Sequence, residues 1–520
     1  MTGALAAGAY GGAMSDDRGL TTVWVWGDQL DERLAHLRDR DPARTRVLMV
    51  ISDRKLGERT WHHQKVHLVV TAMRRFADRL TEQGFAVDLR RAPSMRAGLQ
   101  AHVDAYDPSE LVAMEPASLT GTRTLEGLGV ELVDNDHFLC HWREFAAFRA
   151  GRGRTTMEDF YRWRRRTTGW LMDGAEPVGG RWNLDTENRR PPDRDVAPTA
   201  AADPPVVDPL DAVDGSLGDW LPGGIALTGD GPDGTWATSR EGALARLERF
   251  TTRVLPRFGD HQDAMVAGAW HLNHSLLSHA LNLGLLHPRE VIEAVVAVHD
   301  AGHAPLNAVE GFVRQVLGWR EFLWGVYRTA DDGYATRNAL TADQPLPPAF
   351  TGASTTEMRC VDDTLTSVRT HAYAHHIQRL MVLANLATLA GVRPDAMTDW
   401  MHGAFIDAYD WVMVPNVIGM GTFADGGEVA TKPYVSGGAY IDRMSLDHCG
   451  PCRFDRKQRT GDDACPFTTL YWDFLDRNRD TLASNHRIGR VYANLDRLDD
   501  LDAVRARARE VRERLAAGTL

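Results

Sequence analysis

A chain of 520 residues holds enough material for two to four domains with substantial cores. Its 43% hydrophobic and 25% charged residues exclude both a disordered chain and a membrane-resident one. A formal net charge of −12, from 59 basic and 71 acidic side chains, excludes a generally basic nucleic-acid binder and leaves room for a local basic surface.

Residues 1–19 are small and Gly/Ala-rich, with neither a basic start nor an apolar run of signal-peptide strength, and read as a disordered leader of a cytoplasmic protein. No stretch is apolar for long enough to span a membrane, so no membrane partner is expected.

Residues 20–140 alternate short apolar runs with helical patterns. Strands are predicted at Thr22–Trp26, Arg46–Val50, Phe85–Leu89, Leu111–Met114 and Val130–Val133, with an amphipathic helix carrying Val66, Val69, Val70, Met73, Phe76, Ala77 and Leu80 on one face. Strand and helix alternating at this spacing give a parallel α/β sheet of Rossmann-like type. Gly27-Asp28-Gln29 follows the first strand, where open α/β sheets place ligand loops, so Asp28 is a candidate contact; the plain alternative is a Gly-Asp turn.

Residues 141–245 read as an interdomain linker. A basic, aromatic helix, Met157 to Arg166, presents Arg162, Arg164, Arg165 and Arg166, and a Pro/Asp/Gly-rich crossover runs on to about Trp236. Arginines interleaved with aromatics suit a nucleic-acid-facing segment. A solvated helix face is the commoner explanation of such arginines.

Residues 246–520 are predicted to form an all-α domain, with 3.6-period apolar faces at Glu241–Phe250, Glu290–Val298, Val309–Leu317 and His371–Leu389, and a charged, exposed helix from Leu495 to Ala517. His274-Ser275-Leu-Leu-Ser278 opens a helical pattern, where hydroxyls and backbone N–H groups can hold a pyrophosphate or merely cap the helix. Gly318-Trp319-Arg320-Glu321 sets an indole, a guanidinium and a carboxylate side by side. On the predicted helix from His371, Tyr373 and His376 share one face and His375 and Arg379 a neighbouring one, a polar set costly to bury without a ligand.

The richest stretch is 407–465, with Asp407, Asp410, Asn416, Asp425 and several glycines, then Cys449-x2-Cys452-x12-Cys465. Three thiolates at this spacing ask for a fourth, and Cys360 is the natural candidate, since Cys140 belongs to the sheet-forming region. Spacing leaves zinc and iron–sulfur open, and the absence of a secretory signal argues against a disulfide.

Taken together, the motifs resemble the iron–sulfur bacterial cryptochromes and photolyases, a branch of the photolyase/cryptochrome flavoproteins. The resemblance runs from about residue 20 to 480 through Gly27-Asp-Gln-Leu30, His62-His-Gln-Lys65, Gly179-Gly-Arg-Trp-Asn183, Phe258-Gly-Asp260, Gln262-Asp263, His274–Ser278, Leu281-Asn282, Gly284-Leu-Leu286, Glu310–Gln315, Gly318–Glu321, Tyr373–His376, 407–427, Lys432-Pro-Tyr434 and the four cysteines. It implies an α/β antenna domain followed by an all-α domain that buries FAD. Ser275 and Ser278 would hold the flavin phosphates with Trp319 and Arg320 beside them, and Arg379, Asp407, Asp410 and Asn416 would lie near the isoalloxazine. Cys360, Cys449, Cys452 and Cys465 would ligate a 4Fe-4S cluster that is mainly structural, and 6,7-dimethyl-8-ribityllumazine would sit near Asp28. The implied activity is blue-light-driven repair of UV-damaged DNA by a monomer, acting on a flipped pyrimidine (6-4) photoproduct, with His376 as proton donor, Tyr373 and His375 beside it, and Trp400 and Tyr409 as relay steps for photoreduction. A cryptochrome-type light sensor using the same groups without repair is the alternative.

Overall fold

The computed structural model describes residues 19–193 and 204–520; all but Gly19 of the expected leader, and 194–203 of the crossover, lie outside them. The chain forms two compact units, the first from Met1–Phe145, Pro204–Phe250 and Leu276–Ala294, the second from Ala146–Asp203, Thr251–Ser275 and Val295–Leu520. The segment 141–245, expected as a linker, is therefore shared between them.

The first unit is built on five parallel strands, β1 (Thr21–Trp24), β2 (Thr45–Ser52), β3 (Ala86–Ala92), β4 (Glu110–Met114) and β5 (Glu131–Val133), in the order β3-β2-β1-β4-β5. Every residue of β2 is buried, which is why its sequence is a continuous apolar run rather than an alternating one. Helix α1 (His63–Glu82) buries Val66, Val70, Met73, Phe76, Ala77 and Leu80. Helices α2 (Met95–Tyr106) and α3 (Leu119–Glu126) start at serines, Ser94 and Ser118, whose hydroxyls accept from Ala97 N and Gly121 N. Gly98 lets α2 close on β2, since a Cβ there would stand 2.6 Å from Val50 Cγ1.

Strand order reverses at β1, which creates a crevice beyond the C-terminal ends of β1 and β4. Gly27-Asp28-Gln29 occupies that position. The Gln29 amide donates to Met114 O at 3.2 Å and Glu115 O at 3.4 Å, tying the loop to the end of β4.

The second unit is helical. Its principal helices are α4 (Met157–Thr168), α5 (Leu306–Val313), α6 (Glu321–Thr329), α7 (Arg359–His371), α8 (Pro394–Ala404), α9 (Pro466–Arg477) and α10 (Leu501–Ala517). One continuous apolar core joins α7, α8, α9 and α10, with Leu365, Leu383, Leu386, Phe405, Phe467, Phe474 and Val511 among its members. The tail differs from the exposed helix expected: α10 buries Val504, Ala508, Val511 and Leu515, because small apolar residues recur at helical spacing among its charges.

Two further expectations are corrected. The helix predicted from His371 does not run through, since α7 ends there with Ala372 in a left-handed conformation (φ 52°), its carbonyl accepting from Ile406 N at 2.8 Å. Residues 373–375 are consequently irregular, and Tyr373 and His376 share no helix face. The helix expected to open at His274 begins instead at Ser278 and is short, Ser278–Leu283. No helix among the described residues is long and apolar enough to cross a membrane.

Candidate flavin and cluster sites

Among the described residues, three π-helical turns lie wholly within the second unit, at Arg314–Arg320, Gln378–Ala384 and Pro415–Gly421. Each widens the helix by one residue and re-aims the side chains at its ends. They carry Trp319 and Arg320, Arg379, and Asn416, all singled out from the sequence as ligand contacts. Residue order alone gives no sign of a π turn.

Arg379 and Asp407 form a two-point ion pair, Nη1–Oδ1 2.8 Å and Nη2–Oδ2 3.2 Å, and Arg379 Nε donates to Ala374 O at 2.6 Å. The guanidinium lies over Phe405, 4.2 Å from the ring centre, and 5.0 Å from that of Tyr373. Asp410 pairs with His402 Nδ1 at 2.9 Å, and the Asn416 amide donates to Val412 O at 2.8 Å. Asp425 is absorbed by its own loop, accepting from Gly427 N, Val429 N and the Tyr334 hydroxyl.

Beside the ion pair stands a group of buried rings. His375 stacks on His274 at 4.7 Å and 11°, and Trp270 stacks on His371 at 4.2 Å while meeting Tyr373 edge-on at 5.7 Å. His375 is 0% exposed, and both its ring nitrogens lack hydrogen-bond partners among the described residues. Gln378, also 0% exposed, accepts from His375 N at 3.2 Å but leaves its own amide N–H group without an acceptor. Burial, then the neighbouring His274, hold His375 well below the ordinary imidazole range, so the ring is neutral. Unmet donors and acceptors cost free energy when buried, and a polar ligand edge would relieve them. His376, in contrast, is exposed.

The remaining candidates are placed as follows. Ser275 lies in the second unit and Ser278 in the first, so the pair does not share one unit. Arg320 is buried with Nη1 2.5 Å from Glu321 Oε1 and its guanidinium 5.4 Å from the Trp411 ring centre; Trp319 meets Phe322 edge-on. Trp400 donates to Phe350 O at 2.8 Å and meets Phe405 edge-on at 5.7 Å, while Tyr409 precedes the helix Asp410–Val414. In the first unit, burial raises the Asp28 carboxyl to about 6 against the opposing pull of its backbone hydrogen bond and Lys55.

All five cysteines are free thiols. Cys360, Cys449, Cys452 and Cys465 line one hollow with Met358, Gly438 and His448. Burial, then the other three sulfurs, push the Cys360 thiol up, as expected of thiols gathered round one space. Among the described residues no three His, Cys, Asp or Glu side chains converge tightly enough for a single metal ion. His448, 2% exposed with Nε2 3.1 Å from Asp363, was missed from the sequence; its position directly before Cys449 is the one signal there was.

The arginine expectation is half corrected. Arg164 and Arg165 are buried, and Arg165 donates to Trp182 O at 2.9 Å and to Leu171 O, closing the loop after α4 rather than facing solvent. The apolar stripe of α4 (Met157, Phe160, Tyr161) turns those two inward. Arg162 pairs with Glu158 at 2.9 Å near the surface, and Arg166 is exposed over Trp182.

Comparison with known proteins gives the following. Residues 23–213 match the family model described as deoxyribodipyrimidine photo-lyase-related protein. A (6-4) photolyase of Agrobacterium fabrum (strain C58 / ATCC 33970) is 40% identical over 494 residues, covering 92% of this chain and 96% of that protein. An uncharacterized protein of Acanthamoeba polyphaga mimivirus is 32% identical over 108 residues, 21% of this chain and 80% of its own length. Among solved structures, a bacterial class III photolyase from Agrobacterium tumefaciens matches with a TM-score of 0.56 at 16% identity, covering 94% of this chain and 99% of that one. The Synechocystis sp. PCC6803 cryptochrome matches at 0.50 and 13%, covering 78% and 82%. The architecture, a parallel sheet unit with a helical remainder, is the photolyase/cryptochrome fold.

Proposed function

We infer the function from one premise: the chain belongs to the (6-4) photolyase branch of the deoxyribodipyrimidine photo-lyase-related proteins. It is a DNA photolyase of the (6-4) type, a flavoprotein that uses light to repair DNA. The observation that carries this is identity of 40% sustained over nearly the full length of both chains.

We propose that the flavin is FAD and that the second unit holds it around Arg379, Asp407, Asp410, Asn416, Trp319 and Arg320, with Ser275 toward its phosphates. Support comes from the unpartnered polar atoms of His375 and Gln378 beside the Arg379–Asp407 pair, a set of groups suited to a polar heterocycle. When bound, the flavin supplies the light-driven electron donor. The chain's own work is positional and acid–base. Asp407 fixes the Arg379 guanidinium, and the neutral His375 binds without giving up a proton. His376 is the group a flipped-out base can reach and so the candidate proton donor to the lesion; desolvation of its ring and then Arg379 lower it to about 4, so it donates only after taking up a solvent proton beside the anionic lesion. Trp400 and Tyr409 serve photoreduction.

Four cysteine sulfurs lining one hollow suit a 4Fe-4S cluster, which takes four cysteine thiolates. Its role is structural, clamping the start of α7 to 449–465. A lumazine antenna is proposed at the crevice beyond β1, beside Asp28.

The test is a visible spectrum of anaerobically purified protein, dark and after blue light with a reductant, followed by repair of an oligonucleotide containing one (6-4) photoproduct. Bleaching flavin bands and light-dependent lesion loss are expected. Photoreduction without repair would move the protein to the light-sensor reading.

A further inference from the structure

Lys432-Pro-Tyr434 is a motif that neither the flavin nor the cluster absorbs. Asn485 pins this segment: its amide donates to Thr431 O at 3.1 Å and its Oδ1 accepts from Arg487 N at 2.9 Å, which brings Arg487 to the side of Lys432. Lys432 is half-buried and Arg487 exposed, and among the described residues neither forms an ion pair with a carboxylate. Arg189 stands close by, bonded to Asp185 and 3.8 Å from Asp263. Burial, then the positive charges of Arg487 and Arg189, hold the Lys432 ammonium below its ordinary value. Like charges gathered on a surface repel, and a chain of net charge −12 has carboxylates to spare for neutralising them. Asp185 and Asp263 answer Arg189, and none answers Lys432 or Arg487 among the described residues.

We propose that Lys432 and Arg487 form a backbone-phosphate contact for the DNA strand, with Tyr434 as the adjoining aromatic surface. Resting on the photolyase reading, this moves the principal phosphate grip away from α4, where two of four arginines are buried, to the 432–487 surface. Phosphate neutralises the paired cations, and such contacts set register without reading sequence.

The experiment measures binding of wild type, Lys432→Gln, Arg487→Gln and Lys432→Arg to undamaged and (6-4)-containing duplex across a salt series, with thermal unfolding as a check on folding. Each Gln variant should weaken binding to both duplexes by the same factor and lower the slope of log affinity against log salt by about 0.9. Lys432→Arg should keep the slope. Unchanged slopes in both Gln variants would overturn the proposal while wild-type repair stands; a wild type that neither binds nor repairs DNA would overturn the photolyase reading instead.

Discussion

Arg379 holds Asp407 through two N–H···O contacts, 2.8 and 3.2 Å long, while its guanidinium lies over the Phe405 ring, 4.2 Å from the centre. A carboxylate and guanidinium so gripped present a fixed charge pattern to whatever lies beside them. Both partners come from segments that the sequence marks as polar, but their meeting requires the break at Ala372.

Removing one partner leaves the other charge buried and alone. Arg379→Ala should destabilise the second unit by about 3–5 kcal/mol, read from urea unfolding, and yield protein without flavin absorbance. Arg379→Lys should recover part of the stability but not the two-point geometry.

Burial, then His376, His271 and Arg379, lower the His274 pKa to about 3 from an ordinary 6.5. The unfolded chain therefore takes up this proton first as pH falls, so stability is full above about 6.5 and is lost toward about 3. At pH 5 the loss from this residue is about 2 kcal/mol. His274→Asn should shrink the difference in unfolding free energy between pH 7.5 and pH 5 by about that amount, measured by urea titration.

Cys449→Ala opens the hollow that joins 449–465 to the start of α7. Insoluble or flavin-free protein is expected, with iron and sulfide analysis showing the cluster gone. Soluble, flavin-loaded Cys449→Ala would refute a structural role.

Arg165 and Arg166 are neighbours with opposite fates. Arg165→Ala removes a buried guanidinium bonded to two carbonyls and should cost about 3 kcal/mol in thermal unfolding, whereas Arg166→Ala should stay within about 0.5 kcal/mol.

Trp400 meets Phe405, which in turn underlies the Arg379 guanidinium. Trp400→Phe keeps the packing and removes the indole, and should slow flavin photoreduction severalfold in a blue-light time course.

Much of the fold was legible because it is local. Five apolar runs and the α1 stripe announce a parallel sheet with no help from the rest of the chain, and Cys449-x2-Cys452 announces a sulfur site through spacing alone. What tertiary structure alone decided is where long-range partners overrule local pattern. The Ile406 N–H group holds Ala372 O where α7 breaks off, the apolar side of α4 draws Arg164 and Arg165 inward, and π turns re-aim Arg320, Arg379 and Asn416. His274 finds His375 only after the helices between them have packed. Residue type and period are properties of a few neighbouring positions, and these contacts are not, so the sequence names the site's residues while packing sets which of them meet.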